Sequence, residues 1–247
     1  PGSPYHLRVS LAVQVAGRDK ALERVIELTG RQVSFDIPLA GRPLRLAVDP
    51  RYDLFRRLSA AELPASLGRL FGAKRHVFVL PARASAPLRA AYRRLAESWA
   101  QPGDRIVEDR ALAALPAKGA VWLLGWQNRF RDQIRQALSG TASELDATGA
   151  VLNGKRYQAA TASVVLTASH DARVLGWIGA SSAAAVQRLI GKLPHYSRYS
   201  YLVFAGEQAA IEAKGEWSVR DSPLNRALVP DAPALSLVPR APLWPAH

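Results

Sequence analysis

Lys192-Leu193-Pro194-His195-Tyr196-Ser197-Arg198-Tyr199-Ser200-Tyr201-Leu202-Val203-Phe204 decides how the rest of the chain is read. An amphipathic run, Ala183 to Leu193, leads into it and stops at Pro194, which lacks the N–H that a continuing helix needs. A polar hinge follows, then Tyr199 to Phe204, an apolar, β-rich segment with the character of a buried strand. Helix, aromatic hinge and core strand in so short a span read as the closing unit of an α/β domain.

Upstream, the same alternation repeats. His76 to Leu80 is an apolar strand, Pro87 to Trp99 a helix with Leu88, Ala91, Tyr92, Leu95 and Trp99 inward, and Arg105 to Val107 a short strand. A short helix is expected at Ala111 to Leu115, a strand at Ala120 to Trp126 and a helix at Phe130 to Leu138. Asn153-Gly154 carries a hairpin signal, and strands follow at Ser163 to Thr167 and Val174 to Ile178. Unbroken apolar strands between helices predict a mainly parallel sheet covered on both faces, with an antiparallel addition near Val164 and Leu175. Before this region, Ala60 to Phe71 reads as one helix, with Ser59 as N-cap and Glu62 at the capping-box position.

Tyr5 to Pro50 has a different period. Leu7, Val9, Leu11, Val13 and Val15 alternate with other residues, and runs at Val25 to Leu28, Val33 to Ile37 and Leu44 to Val48 follow, punctuated by glycines. Four short strands predict a small antiparallel sheet, or the end of a β-sandwich. The fold class expected is therefore α/β. Residues 1–50 form a β-sandwich-like antiparallel unit, 51–228 a three-layer Rossmann-like domain with a mixed, mainly parallel sheet, and 229–247 a Pro- and Ala-rich tail, poorly ordered or draped over the surface.

The chain has 247 residues, no Cys and no Met. Absence of Cys excludes disulfides and thiolate chemistry. No apolar window is long enough for a transmembrane helix or has the form of a secretory signal. The opening Pro-Gly-Ser reads as the start of an excised or processed piece of a longer protein. A net charge of +13 invites nucleic acid, but only six of the 33 basic residues are Lys, leaving 27 Arg, and they are scattered. Such Arg-for-Lys bias follows from GC-rich coding, so nucleic acid is not the partner favoured.

Ligands gather beyond the carboxyl ends of strands in open α/β sheets. Those ends direct attention to Trp126, Gln127, Asn128 and Arg129, an aromatic plate, an amide pair and a cation, and to His170. The competing reading, which is preferred, packs Trp126 and uses Asn128 to cap the following helix. Ser169-His170-Asp171 is not a triad by adjacency, since neighbouring residues point apart. No His pair at i,i+4 spacing, no Gly-rich nucleotide fingerprint and no Gly-x-Ser-x-Gly elbow occurs, so no cofactor and no metal site is expected. His195, Tyr196, Arg198 and Tyr199 form a second group, either a docking surface or a buried aromatic hinge with its hydroxyls satisfied internally; the hinge is preferred.

Several segments also carry a resemblance. They are Arg42-Pro43-Leu44-Arg45-Leu46-Ala47-Val48-Asp49-Pro50 with Asp53-Leu54-Phe55-Arg56-Arg57-Leu58, Val121 to Trp126, Leu193-Pro194-His195-Tyr196 with Tyr199-Ser200-Tyr201, and Lys214-Gly215-Glu216-Trp217 with Asp221-Ser222-Pro223-Leu224. Together they resemble the region after the catalytic domain in bacterial aminopeptidase-N-type zinc metallopeptidase-like proteins. The resemblance implies a non-catalytic accessory region that docks, gates or stabilises a catalytic domain of the same parent chain, in the periplasm or at a membrane, with a peptide or envelope partner. The family's zinc motif and catalytic Glu have no counterpart here, so no catalytic residue carries over. Two other readings stand beside it: a small-ligand or peptide-binding α/β module, and nucleic-acid binding through the Arg excess. Nothing in the sequence excludes a cytoplasmic location.

Overall fold

Period-two alternation builds the first sheet. The structure, a computed structural model, describes residues 5–139, 141, 143–170, 173–217 and 222–240, with Ala60 and His170 described by their backbone alone. The chain divides into two compact units, Pro1–Leu63 with Val219–His247, and Pro64–Ser218.

In the first unit, β1 (Leu7–Val15) lies between β2 (Leu22–Leu28) and β3 (Pro43–Val48), and a late strand, β14 (Asn225–Ala227), pairs with β3. All pairings are antiparallel. Register places Leu7, Val9, Leu11 and Val13 on one face with Leu22, Ile26 and Leu28 of β2 and Leu46 and Val48 of β3. Val9, Leu11 and Val13 are buried, whereas Leu7 is 37% exposed and the flanking apolar residues are half-buried.

One expectation is corrected here. The run Val33 to Ile37 forms no strand, and Val33 and Phe35 are exposed. Alternation gives a segment a face but no partner, and the position beside β3 is taken by β14. The described residues of this unit form one antiparallel sheet, the first of the two forms expected. The tail explains why the far side of the sheet is closed. Gln14 Oε1 accepts from Ser236 N at 3.1 Å, Ala21 N donates to Ser236 O at 2.7 Å, and Arg45 donates to the carbonyls of Pro233 and Ala232.

A buried ionic network closes this unit. Asp49, 1% exposed, accepts from Asp53 N at 2.8 Å and from Arg56 Nε at 2.8 Å. Arg56 also reaches both oxygens of Glu62 at 2.9 and 2.8 Å, and Glu62 accepts from Ser59 N and Ser222 Oγ. Hydrogen bonds from Arg56 hold the Glu62 carboxyl down at about 2 against the opposing effect of burial. The capping-box contact from Glu62 to Ser59 N therefore exists, but the predicted helix over 60–71 does not. A single 3-10 turn, Ala60–Glu62, ends before Pro64, and α1 (Leu67–Phe71) starts afresh with Ser66 as its N-cap. Pro64 has no N–H to join the two pieces.

The second unit is built on a seven-stranded sheet of order β13-β12-β10-β11-β6-β4-β5. Its strands are β4 (His76–Leu80), β5 (Arg105–Glu108), β6 (Gly119–Leu124), β10 (Ala162–His170), β11 (Arg173–Gly179), β12 (Tyr201–Ala205) and β13 (Ala210–Gly215). The sheet is half parallel: β5, β4, β6 and β11 run together, while β10 opposes β11 and β12, and β13 opposes β12. The expectation of a mainly parallel sheet is corrected to an evenly mixed one, because β10 to β11 and β12 to β13 are connected too tightly for a crossover helix.

Alternate side chains of the central strands feed two cores. Phe78, Leu80, Trp122 and Leu124 pack with α1, α2 (Ala86–Trp99) and α4 (Ala183–Lys192). Val79, Val121, Leu123 and Trp177 pack with α3 (Arg131–Ala137) and with a small antiparallel sheet of β7 (Ser143–Leu145), β8 (Gly149–Leu152) and β9 (Lys155–Gln158). Asn153 and Gly154, at φ 50° and 80°, make the hairpin turn between β8 and β9. The helix expected at Ala111 to Leu115 is instead a 3-10 turn, Asp109–Ala111, followed by irregular chain.

The hinge after α4 is a knot. Ser197 O and Tyr199 O accept from Gly68 N and Leu67 N, satisfying the first amides of α1. Buried Ser200 accepts through its carbonyl from Thr167 N at 2.9 Å and through its hydroxyl from Trp217 N at 3.0 Å.

Candidate functional site

The strand order reverses beside β4. From β4 the chain passes through α2 to β5 on one side, then returns to place β6 on the other. Two loops leave the carboxyl ends of β4 and β6 at this switch point, residues 81–85 and 125–130.

Asp109 holds these loops together. Buried to 3% exposure, its carboxylate accepts from Ala82 N at 3.1 Å and from Arg129 N at 2.9 Å. Asn128 fixes the second loop from inside: its Nδ2 donates to Val79 O at 2.9 Å and Leu124 O at 3.0 Å, and its Oδ1 accepts from Phe130 N at 3.1 Å. Gly125 makes the exit from β6 possible. Its φ of 90° is left-handed, and a Cβ there would stand 2.7 Å from the Pro81 ring.

These constraints leave an open cleft of about 350 Å³, lined by Arg83, Trp126, Gln127, Asn128, Arg129, Arg131 and Asp132. Four of the five residues singled out from sequence for ligand binding therefore meet at one place. Trp126 is buried edge-on against Trp177, 4.6 Å between ring centres, so it forms wall more than plate. Asn128 is a staple within the loop, not the cap of α3, whose N-cap residue is Phe130. Gln127 and Arg129 are exposed.

His170 does not join them. β10 is antiparallel to β11, so His170 pairs with Arg173 at the start of β11, which in turn pairs with Gly119 at the start of β6. That is the opposite edge of the sheet, about 17 Å along the strands from Leu124. The His170 side chain and Asp171 lie outside the described residues. Neighbouring Ser169 accepts through Oγ from Arg69 at 3.2 Å.

Two cleft residues were missed in sequence, Arg83 and Arg131. Arg83 lies within the strand end 81–85 and Arg131 just beyond the strand end 125–129, and their charge was the available signal. Among the described residues neither Arg83 nor Arg129 has a carboxylate or hydrogen-bond partner for its guanidinium, although the Arg129 group lies over the Phe130 ring at 4.9 Å. Arg131 donates to Trp126 O at 3.0 Å, but its Nε and the Trp126 Nε1 are buried without an acceptor.

The hinge group behaves differently. Tyr196 and Tyr199 are half-buried, and Tyr196 packs edge-on against Phe204 at 6.0 Å. Arg198 is exposed and bonded to Glu216 at 2.9 and 2.8 Å, and His195 is exposed. Among the described residues neither tyrosine hydroxyl has an internal partner, contrary to the expectation for a fully satisfied hinge.

A second cavity, about 650 Å³, lies among Arg156, Gln158, Ser181, Ser182, Glu207 and Glu212. Size does not make it the better site. Its cations are paired, Arg156 with Asp146 and neighbouring Lys155 with Glu212, each at 2.8 Å. No group of three or more His, Asp or Glu among the described residues could hold a metal ion, and no helix there is long and apolar enough to cross a membrane. Compared with known protein families and with curated protein sequences, the chain matches none.

Proposed function

We propose that the second unit is a small-ligand-binding module whose ligand sits at the carboxyl ends of β4 and β6. The observation that carries this reading is the cleft at the strand-order reversal, with Gln127 and Arg129 exposed on loops that Asp109 and Asn128 hold rigid. Ligand sites recur at such switch points because the diverging loops open a crevice there. The surrounding fold is read as a three-layer, Rossmann-like arrangement, supported by apolar cores on both faces of the sheet. Equilibrium binding of a small-molecule library tests the proposal. Hits should lose affinity in Gln127→Ala and Arg129→Ala; hits indifferent to both substitutions would place the site elsewhere.

A second reading follows the resemblance: the chain as the accessory end of a peptidase-like parent, docked against its catalytic domain. What favours it is the half-exposed apolar row of the first sheet, Leu7, Ile26, Leu28, Leu46 and Val48, which a covering surface would bury. This reading requires the isolated chain to leave aminoacyl and peptide substrates uncleaved, and measurable peptidase activity would end it.

A further inference from the structure

Building on the reading of the cleft as a ligand site, we infer that the group seated there is an oxyanion, a phosphate or carboxylate carried by a small molecule, held by Arg83 and Arg129 with Arg131 beside them. Three arginines line one cleft, with a single exposed carboxylate, Asp132, among them. Asp132 bonds Arg135 Nε at 3.2 Å. Asp109 is buried, with both oxygens on backbone amides. The cleft therefore gathers more positive than negative charge.

The contrast within the same unit is informative. Around the larger cavity, Lys155 and Arg156 each meet a carboxylate, so the cations there are neutralised. Gathered like charges repel and raise the local potential, and an anion entering between them relieves both effects. Guanidinium is also the side chain whose planar fork matches two oxygens of a carboxylate or phosphate. A neutral amide or sugar would need acceptors, and of these the lining offers few, the Gln127 amide and the Asp132 carboxylate. An oxyanion needs none.

The volume suits a compact molecule and not a polymer, since sites for small ligands begin near this size, at about 300 Å³. The rigid loop staples mean that the guanidinium groups are presented without a disorder-to-order cost in the backbone.

The test is amide NMR on the whole chain, titrated at constant ionic strength with phenyl phosphate, with citrate and with neutral glucose. Saturable shifts at the amides of Arg83, Gln127 and Arg129 are expected from at least one anion, and which anion separates a phosphate from a carboxylate ligand. Arg83→Gln and Arg129→Gln should each weaken that binding about tenfold, the scale of one charge-assisted hydrogen bond. Saturable shifts from glucose alone would overturn the oxyanion while leaving a ligand site in place. Shifts from no probe would remove both. Anion shifts that do not saturate, or that persist unchanged in both variants, mean an adventitious ion only and overturn the inference.

Discussion

Two sites in the molecule, one in each unit, use arginine in opposite ways. In the first, Arg56 lies between the buried carboxylates of Asp49 and Glu62 and satisfies both. In the second, Arg83, Arg129 and Arg131 line a cleft beside Asp132, and none of them forms an ion pair among the described residues. The first pattern is structure: an arginine in a desolvated network fixes the chain around it, and its charge is taken up by two buried carboxylates. The second is available chemistry, because exposed guanidinium groups on stapled loops are ready for a partner. Net charge alone does not separate the two, and the +13 of the chain contains both.

The largest effect that would sharpen this contrast is loss of Arg56. Arg56→Ala leaves two buried carboxylates unpaired and should destabilise the first unit by about 3–5 kcal/mol, measured by urea unfolding. Next comes Gly125→Ala, which combines a left-handed φ with a clash at Pro81. A loss of about 2–4 kcal/mol is expected, together with loss of ligand binding as the loop is displaced.

Acid should probe the first unit selectively. Glu62 is held at about 2, below its value of about 4.3 in an unfolded chain. Its folded form thus binds fewer protons, and its contribution is fully present above about pH 5 and is lost as pH falls through about 2. Glu62→Gln should flatten the stability profile over that window; an unchanged slope would detach Glu62 from the network. The smallest effects belong to the cleft. Arg129→Ala should change stability by no more than about 0.5 kcal/mol, since its side chain is exposed and without a protein acceptor. His170→Ala should leave cleft affinity unchanged, because its strand ends at the other edge of the sheet.

How much of this was legible in sequence varies with the physics involved. His76 to Leu80 was readable to the residue because a continuous apolar run bounded by polar chain has few alternatives. The inward face of α2 was equally clear from Ala91, Tyr92 and Leu95 at helical spacing. Strand direction was not, since it depends on pairing and not on local pattern, and that is why His170 was grouped with residues at the far edge. The break at Pro64 was visible but outweighed by the genuine Ser59 and Glu62 signal around it. Val33 to Ile37 kept its alternation and lost its place to β14, contributed from a distant part of the chain. Gln127 and Arg129 were found because strand ends are predictable places for polar groups. Arg83 and Arg131 were passed over because, in a chain with 27 arginines, an arginine without a partner can be recognised only once its neighbours are known.

One measurement joins stability and binding at the cleft: thermal unfolding of the parent chain and of the Arg83→Gln, Arg129→Gln double variant, each with and without phenyl phosphate or citrate in excess. A ligand that binds only the folded state raises the midpoint in proportion to its occupancy. The account predicts equal midpoints for the two proteins without ligand, and a rise with one of the anions in the parent chain alone. A double variant that melts lower without ligand, or that responds to the anion as fully as the parent, would contradict it.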